Sequence, residues 1–196
     1  MKHIFRASYS ILKLWDSGQK QEAIKAYFKL PRFVTKEMED GINFHKAWEE
    51  EIKRTKCLPK IFGTRQLIDP QVEAKYEMPV TDWCEFVFKP DLIDGLWLTD
   101  FKTGTKELGY YLDDKQLPVY ALFLAKKGIT VDRGVIRKYN QYEKTVEVGF
   151  VWLTPDRIAE AKKWLIKNIT EMSDHFEAEN LWDKYPDPKT VVHFDL

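Results

Sequence analysis

The sequence is poor in cysteine. Cys57 and Cys84 are the two cysteines among its 196 residues. Two thiols are too few for a four-cysteine zinc or iron–sulfur site, and they are unlike the paired cysteines of a disulfide framework. A low cysteine content favours a reducing compartment. We therefore expect a cytoplasmic protein without an iron–sulfur cluster.

The sequence also lacks an excess of one charge and any long apolar run. It has 31 Lys and Arg against 31 Asp and Glu, so attraction to nucleic acid must come from local patches. No stretch approaches the roughly eighteen apolar residues of a membrane helix, and the N-terminal residues carry no signal-peptide run. With 44% hydrophobic and 14% aromatic residues, the chain can form a core, and its length predicts one domain over residues 1–196.

Hydrophobic spacing predicts a helical N-terminal third, then short strands, then helices and strands in alternation. The predicted helices cover residues 8–29, 35–55, 115–127 and a long segment from Pro155; the predicted strands cover 72–80, 84–93, 96–101, 131–139 and 145–153. This order predicts an α/β or α+β fold with a central mixed sheet flanked by helices.

One strand carries the residues that point to chemistry. Asp100 and Lys102 share a face because residues two apart on a strand point the same way. The Asp94-Gly95 dipeptide predicts a two-residue turn that places Asp91 on the same face, diagonal to Asp100 at roughly 7–8 Å.

That turn would pair Ile93 with Leu96 and Asp91 with Leu98. Two carboxylates suit Mg²⁺ or Mn²⁺ better than zinc, and a nearby lysine can orient water or stabilise charge on a phosphate. An Asp-x-Lys strand is also common on exposed sheet edges, and Asp94 alone is typical of a turn.

Five motifs in one order resemble the PD-(D/E)XK nuclease superfamily, and in particular its RecB-like branch. The central motif runs from Pro90-Asp91 to the Asp100-Phe101-Lys102-Thr103-Gly104 segment. The others, in chain order, are Ser8-x-Ser10, Gly41-x-x-x-His45, Val72-Glu73 and Gln116-x-x-x-Tyr120. The resemblance covers roughly residues 8–125 and implies a restriction-endonuclease-like sheet. Some members, including CRISPR adaptation nucleases, hold an iron–sulfur cluster on four cysteines, which this chain lacks.

The resemblance also implies roles for single residues. His45, Glu73, Asp91 and Asp100 would be metal ligands, and Lys102 would activate water. Gln116 and Tyr120 would support the phosphate or the lysine, since residues four apart share a helix face.

Alternatives remain for three of these residues. His45 lies on an apolar stripe, where a histidine is often part of the core. Tyr120 has a core position as its alternative, since a tyrosine in a helix is otherwise a core aromatic. Glu77 shares a strand face with Glu73 and could be the upstream carboxylate instead.

The function implied is a Mg²⁺- or Mn²⁺-dependent DNA nuclease, an exonuclease or end-processing enzyme of recombination, repair or phage DNA metabolism. A helicase or recombination protein is a possible protein partner. The candidates for DNA contacts are a basic rim and tyrosines that could stack on bases: Lys75, Lys89, Lys102, Lys106, Lys115, Arg137 and Lys138, with Tyr110, Tyr111 and Tyr139. The alternative, an ordinary solvated face, is the more common role of scattered lysines in a chain rich in both charges. Two other functions stay open, a DNA-binding or adaptor protein that retains the fold and a phosphoesterase acting on small nucleotides.

Overall fold

The computed structural model describes residues 4–185. Residues 1–3, part of the N-terminal segment without a signal-peptide run, and residues 186–196 lie outside the described residues. The helices are α1 Tyr9–Asp16, α2 Lys20–Tyr27, α3 Lys36–Thr55, α4 Leu108–Leu112, α5 Gln116–Lys126, α6 Pro155–Ala178 and α7 Leu181–Lys184. The strands are β1 Phe5–Ala7, β2 Gln71–Val72, β3 Tyr76–Pro79, β4 Cys84–Phe88, β5 Leu92–Asp94, β6 Trp97–Thr103, β7 Arg133–Asn140 and β8 Thr145–Trp152.

The described chain forms two compact units. The first contains residues 4–33, 77–88 and 162–185, and the second contains residues 34–76 and 89–161. The single domain expected over residues 1–196 stays a prediction. Among the described residues, no helix has the length and apolar character required to span a membrane.

The first unit holds a three-stranded sheet in the order β1-β4-β3. Strand β1 runs parallel to β4, with Phe5 opposite Cys84. Aromatic side chains form its core: Phe5 and Phe28 both contact Phe176 of α6, with ring centroids 5.7 and 5.2 Å apart. The single helix expected over residues 8–29 is divided into α1 and α2, because Gly18 adopts a positive φ of 80° between them.

The second unit holds a five-stranded mixed sheet in the order β2-β5-β6-β7-β8. Strands β6 and β7 are parallel, and the other pairs are antiparallel. Two predicted strands are each divided between the two sheets: residues 72–80 become β2 and β3, and residues 84–93 become β4 and β5. The mixed sheets flanked by helices confirm the expected fold class.

The expected turn between β5 and β6 is wrong by two residues in register. Ile93 pairs with Leu98 rather than with Leu96, and Asp94 is the last residue of β5 opposite Trp97. The buried Asp94 carboxylate accepts hydrogen bonds from the backbone N–H of Ile68 at 2.7 Å and from Arg65 at 2.9 Å. These bonds hold Asp94 in the strand, so the turn falls on Gly95 and Leu96.

The core of the second unit lies between α3 and one face of the sheet. Trp48 and Ile52 of α3 are buried there with Phe62, Leu92 and Phe101. Helix α3 begins at a capped end, where the backbone N–H of Met38 donates to Thr35 Oγ1 at 3.2 Å. The apolar stripe of α3 on which His45 lies is therefore buried only in the C-terminal half of the helix. Met38 and Ile42, at the N-terminal end of the stripe, are exposed.

Candidate functional site

Three residues predicted as metal ligands converge in the second unit. His45 comes from the middle of α3, Glu73 directly follows β2, and Asp91 directly precedes β5. Their ligand atoms, one from each side chain, all lie within 4.8 Å of one another. Elements far apart in sequence therefore place one imidazole nitrogen and two carboxylate oxygens around a common point.

Backbone conformation and backbone hydrogen bonds hold the Glu73 and Asp91 carboxylates in place. Glu73 adopts a positive φ of 54°, which is uncommon for a residue with a side chain. Its N–H donates to the carbonyl oxygen of Asp91 at 3.2 Å. Asp91 Oδ2 accepts a hydrogen bond from the N–H of Phe101 at 2.6 Å and lies 3.7 Å from His45 Nδ1. The strained backbone of Glu73 is thus maintained at the point where its carboxylate joins the group.

Gly41 explains how α3 brings His45 to the sheet. A Cβ atom on Gly41 would lie 2.8 Å from Thr103 Oγ1 of β6. Only glycine permits this approach without displacing the hydroxyl. The four-residue spacing places Gly41 and His45 on the same face of α3. Gly41 allows the helix to contact the sheet, and His45 then reaches the carboxylates.

A second group lies next to the first on β6 and α5. Lys102 Nζ donates a hydrogen bond to Asp100 Oδ1 at 3.0 Å and lies 2.7 Å from Oδ2. Gln116 joins this pair: its Oε1 accepts from Lys102 at 2.9 Å, and its Nε2 donates to Asp100 at 3.0 Å. The hydroxyl of the buried Tyr120 lies 3.4 Å from Gln116 Nε2. The amide therefore fixes the positions of both charged side chains.

Burial and charge shift the pKa values of these groups. Burial lowers the pKa of His45, which favours the neutral imidazole that binds metals. Burial, followed by the charge of Asp100, raises the pKa of Asp91 well above its usual value. Burial opposes the charge of Lys102, but the charges of Asp100 and Asp91 outweigh it, so the pKa of Lys102 is raised. Several carboxylates thus share one partly buried region in which each disfavours the ionisation of its neighbours.

The donor set fits a hard divalent cation. Glu73 Oε2 and Asp100 Oδ2 are buried. Each contacts a lysine ammonium group, Lys89 for Glu73 and Lys102 for Asp100. Buried carboxylate oxygens require a positive charge, and oxygen-rich groups suit Mg²⁺ and Mn²⁺.

Every predicted site residue lies in the second unit, but these residues form two neighbouring groups and not a single one. His45, Glu73 and Asp91 form the group of ligand atoms, whereas Asp100, Lys102, Gln116 and Tyr120 form the hydrogen-bonded group beside it. The alternative carboxylate, Glu77, belongs to the first unit and contacts Arg6 at 3.4 Å.

Lys89, which was predicted as one member of a basic rim, has a specific partner in the structure. Its ammonium group forms an ion pair with Glu73. The sequence signal was its place two residues before Asp91, but its partner could not be read because Glu73 lies in another element. The rest of the rim is not one surface: Arg137 and Lys138 point to opposite faces of β7, and Lys115 lies 3.8 Å from Glu160.

Comparisons with known proteins support the fold. No protein-family model matches the chain, and no curated protein matches it. The crystal structure of SSO0001 is similar at 13% identity and a TM-score of 0.52, over 87% of this chain and 78% of that one. An alkaline exonuclease from Laribacter hongkongensis, LHK-Exo, is similar at 10% identity and a TM-score of 0.52, over 91% of this chain and 93% of that one. The chain therefore has a nuclease-like mixed α/β fold.

Proposed function

We propose that the chain is a Mg²⁺- or Mn²⁺-dependent DNA nuclease that hydrolyses phosphodiester bonds. The observation that carries this proposal is the convergence of His45, Glu73 and Asp91 within 4.8 Å beside the paired Asp100 and Lys102. Carboxylates with a neighbouring lysine suit phosphodiester hydrolysis, because the reaction requires a water nucleophile and neutralisation of the phosphate charge. The nuclease-like fold supports the same reaction class.

In this proposal, His45, Glu73 and Asp91 hold the cation, and Asp100 is a further ligand. A divalent cation bound there would supply Lewis-acid stabilisation of charge on the scissile phosphate and would activate water. Lys102 orients the water and places positive charge where negative charge develops on the phosphate. Gln116 positions Lys102 and Asp100 through its two hydrogen bonds. Tyr120 supports Gln116.

The order of the motifs favours the RecB-like branch of the PD-(D/E)XK superfamily. Gly41-x-x-x-His45 and Gln116-x-x-x-Tyr120 flank the Asp100-Phe101-Lys102 strand in chain order. Both flanking motifs contribute side chains next to that strand, through the His45–Asp91 and Gln116–Lys102 contacts. This branch implies an exonuclease or end-processing role on DNA, with a helicase or recombination protein as a partner.

The test is cleavage of linear and circular DNA, single- and double-stranded, with Mg²⁺, Mn²⁺ or EDTA. We expect metal-dependent cleavage that Lys102→Ala abolishes and that Lys126→Ala, a change of an exposed lysine, leaves intact. A requirement for DNA ends would support the exonuclease role. Absence of cleavage from every DNA form, with metal binding retained, would instead favour a DNA-binding or adaptor protein.

A further inference from the structure

The last strand of the second unit has an unusual edge. Strand β8 lies at the end of the five-stranded sheet, with β7 on one side and no strand of the described chain on the other. It pairs with β7 over all eight residues, from Arg133 opposite Trp152 to Asn140 opposite Thr145. Among residues 4–185, nothing pairs with the opposite edge of β8, which presents backbone N–H and C=O groups along about 27 Å.

The two faces of β8 differ in how they are covered. Gly149 faces α4, because a Cβ atom there would lie 2.6 Å from a methyl group of Leu112. On the other face, alternate residues project large apolar side chains into solvent. Phe150 is 62% exposed and Trp152 is 64% exposed, and Val146 and Val148 are exposed as well. We call these four side chains the β8 stripe.

Strand β8 lacks the features that usually prevent pairing at a sheet edge. It contains no proline, and its register with β7 is free of bulges. Glu147 is its one charged residue, and it points away from the β8 stripe and forms an ion pair with Lys138. A long, regular and apolar edge of this kind is a site for pairing with another strand.

We propose that β8 pairs antiparallel with β8 of a second copy of this chain, across a two-fold axis at Gly149. The strand is complementary to itself in that register, because residues equally distant from Gly149 lie opposite each other and point to the same face. Val148 lies opposite Phe150 of the second copy, and Val146 lies opposite Trp152. Aromatic and β-branched side chains form favourable cross-strand pairs.

Charge favours a second copy as the occupant. In this register Glu147 lies opposite Val151, so the charged residue of the strand does not meet its own copy; an axis at Glu147 would place two carboxylates together.

Neighbouring residues strengthen the surface. Arg133 lies over the rings of both Trp97 and Trp152, at 5.0 and 5.6 Å from their centroids. Trp97 also contacts Phe150 edge to face at 6.0 Å. These contacts hold the aromatic side chains in place before association, which reduces the entropy lost on binding, and tryptophan and arginine are enriched among residues that dominate interfaces.

The first test is the solution mass of the full chain by sedimentation and light scattering. We expect twice the 23.3 kDa of one chain. The double variant Phe150→Thr/Trp152→Thr, which keeps residues suited to strands, should raise the dimer dissociation constant at least about 100-fold. Ile166→Thr, which changes an exposed apolar residue of α6, should leave the dimer intact. A monomeric native chain, or a dimer that persists in the double variant, would overturn the proposal.

The second test measures the register of the two paired strands directly. Val148→Cys is mixed with a tagged Phe150→Cys chain, both with Cys57→Ser, under mild oxidation. Because opposite Cβ atoms lie about 4.5–5.5 Å apart, we expect the mixed disulfide to form faster than either chain with itself. Equal rates would overturn the register. If the native chain is a monomer that binds a labelled oligonucleotide only when Phe150 and Trp152 are present, the β8 stripe is a nucleic-acid-binding surface and the self-pairing proposal is wrong.

Discussion

At the scale of single residues, the candidate site depends on side chains that neutralise one another. Glu73 contacts Lys89, and Asp100 contacts Lys102. Asp91 lies between these pairs with His45 as its neighbour. A partly buried group of this kind tolerates its carboxylates because each has a cation or a hydrogen-bond donor. The same arrangement leaves carboxylate oxygens positioned for a divalent cation.

Gln116 is the residue whose replacement tests this arrangement without removing a charge. We expect Gln116→Met to lower the cleavage rate about 10- to 100-fold, or about 1.4–2.7 kcal/mol, because the two hydrogen bonds that position Lys102 and Asp100 are lost. The measurement is single-turnover cleavage at saturating metal, with thermal unfolding followed in parallel. Gln21→Met, at an exposed position of α2, is the control. An unchanged rate in Gln116→Met would show that the amide does not position Lys102.

The Asp114 carboxyl group makes a contribution to the free energy of unfolding that depends on pH. Burial raises its pKa to about 6, although its carboxylate accepts a hydrogen bond from the N–H of Gln116. The folded state therefore binds this proton more tightly than the unfolded state, whose pKa is the usual 3.8. The contribution of Asp114 to the free energy of unfolding must then fall as the pH rises from about 4 to about 6.

We expect Asp114→Asn to reduce this fall, by up to about 3 kcal/mol at about 1.4 kcal/mol per pKa unit, and to leave the hydrogen bond to Gln116. The measurement is urea unfolding across this pH range. Asp113→Asn, the exposed neighbour, is the matched control. Identical pH profiles for the native chain and Asp114→Asn would contradict the assignment.

At the scale of elements, glycines determine how closely helices approach the sheet. A Cβ atom on Gly134 of β7 would lie 2.8 Å from Leu117 of α5, and 3.2 and 3.3 Å from atoms of Val151. Gly41 permits the matching approach of α3 to β6. Because α3 carries His45 and α5 carries Gln116, these contacts also position the two parts of the candidate site.

We expect Gly134→Ala to destabilise the protein by about 1–3 kcal/mol, because the methyl group would overpack against Leu117 and Val151. Gly109→Ala, on α4, is the control, since a Cβ atom there meets no atom within 4 Å. The measurement is the free energy of unfolding from urea titration. If both variants are equally stable, close packing of α5 on β7 does not require the glycine.

Elements with a strong periodic signal could be predicted from the sequence. Helix α3, helix α5, strands β7 and β8 and helix α6 all lie close to their predicted positions. Prediction failed where the outcome depends on distant partners. The predicted register of the β5–β6 hairpin is wrong because Arg65 and Ile68 bind the Asp94 carboxylate. The two strands predicted within residues 72–93 are wrong in length because the halves of each belong to different sheets. Hydrophobic spacing contains no information on such contacts.

The sequence proposes the residues of the candidate site but not how they are grouped, and the roles of these residues stay predictions. Motif order indicated all seven residues, yet the sequence did not separate Glu73 from Glu77 or reveal that Lys89 is the partner of Glu73. Both depend on the positive φ at Glu73 and on the position of β2 beside β5. A backbone conformation that favours glycine, occupied by glutamate, is not visible in a pattern of apolar residues.

At the scale of the whole molecule, the proposed metal site predicts a link between metal binding and stability. A ligand that binds only the folded state stabilises it by about 2.7 kcal/mol at 100 times its dissociation constant. We therefore expect Mn²⁺ to raise the unfolding temperature of the native chain and to have no effect on Asp91→Asn. Asp82→Asn, at an exposed position of the first unit, should respond as the native chain does. Equal stabilisation of all three would place metal binding elsewhere.

The most direct test of the central claim is the Mn²⁺ concentration dependence of DNA cleavage, compared between the native chain, Asp91→Asn and Asp82→Asn. If His45, Glu73 and Asp91 hold the cation for phosphodiester hydrolysis, Asp82→Asn follows the native curve. Asp91→Asn then shows no cleavage, or requires at least about 100-fold more metal, which corresponds to about 2.7 kcal/mol. A native cleavage curve in Asp91→Asn, with its product yield unchanged, would contradict the account.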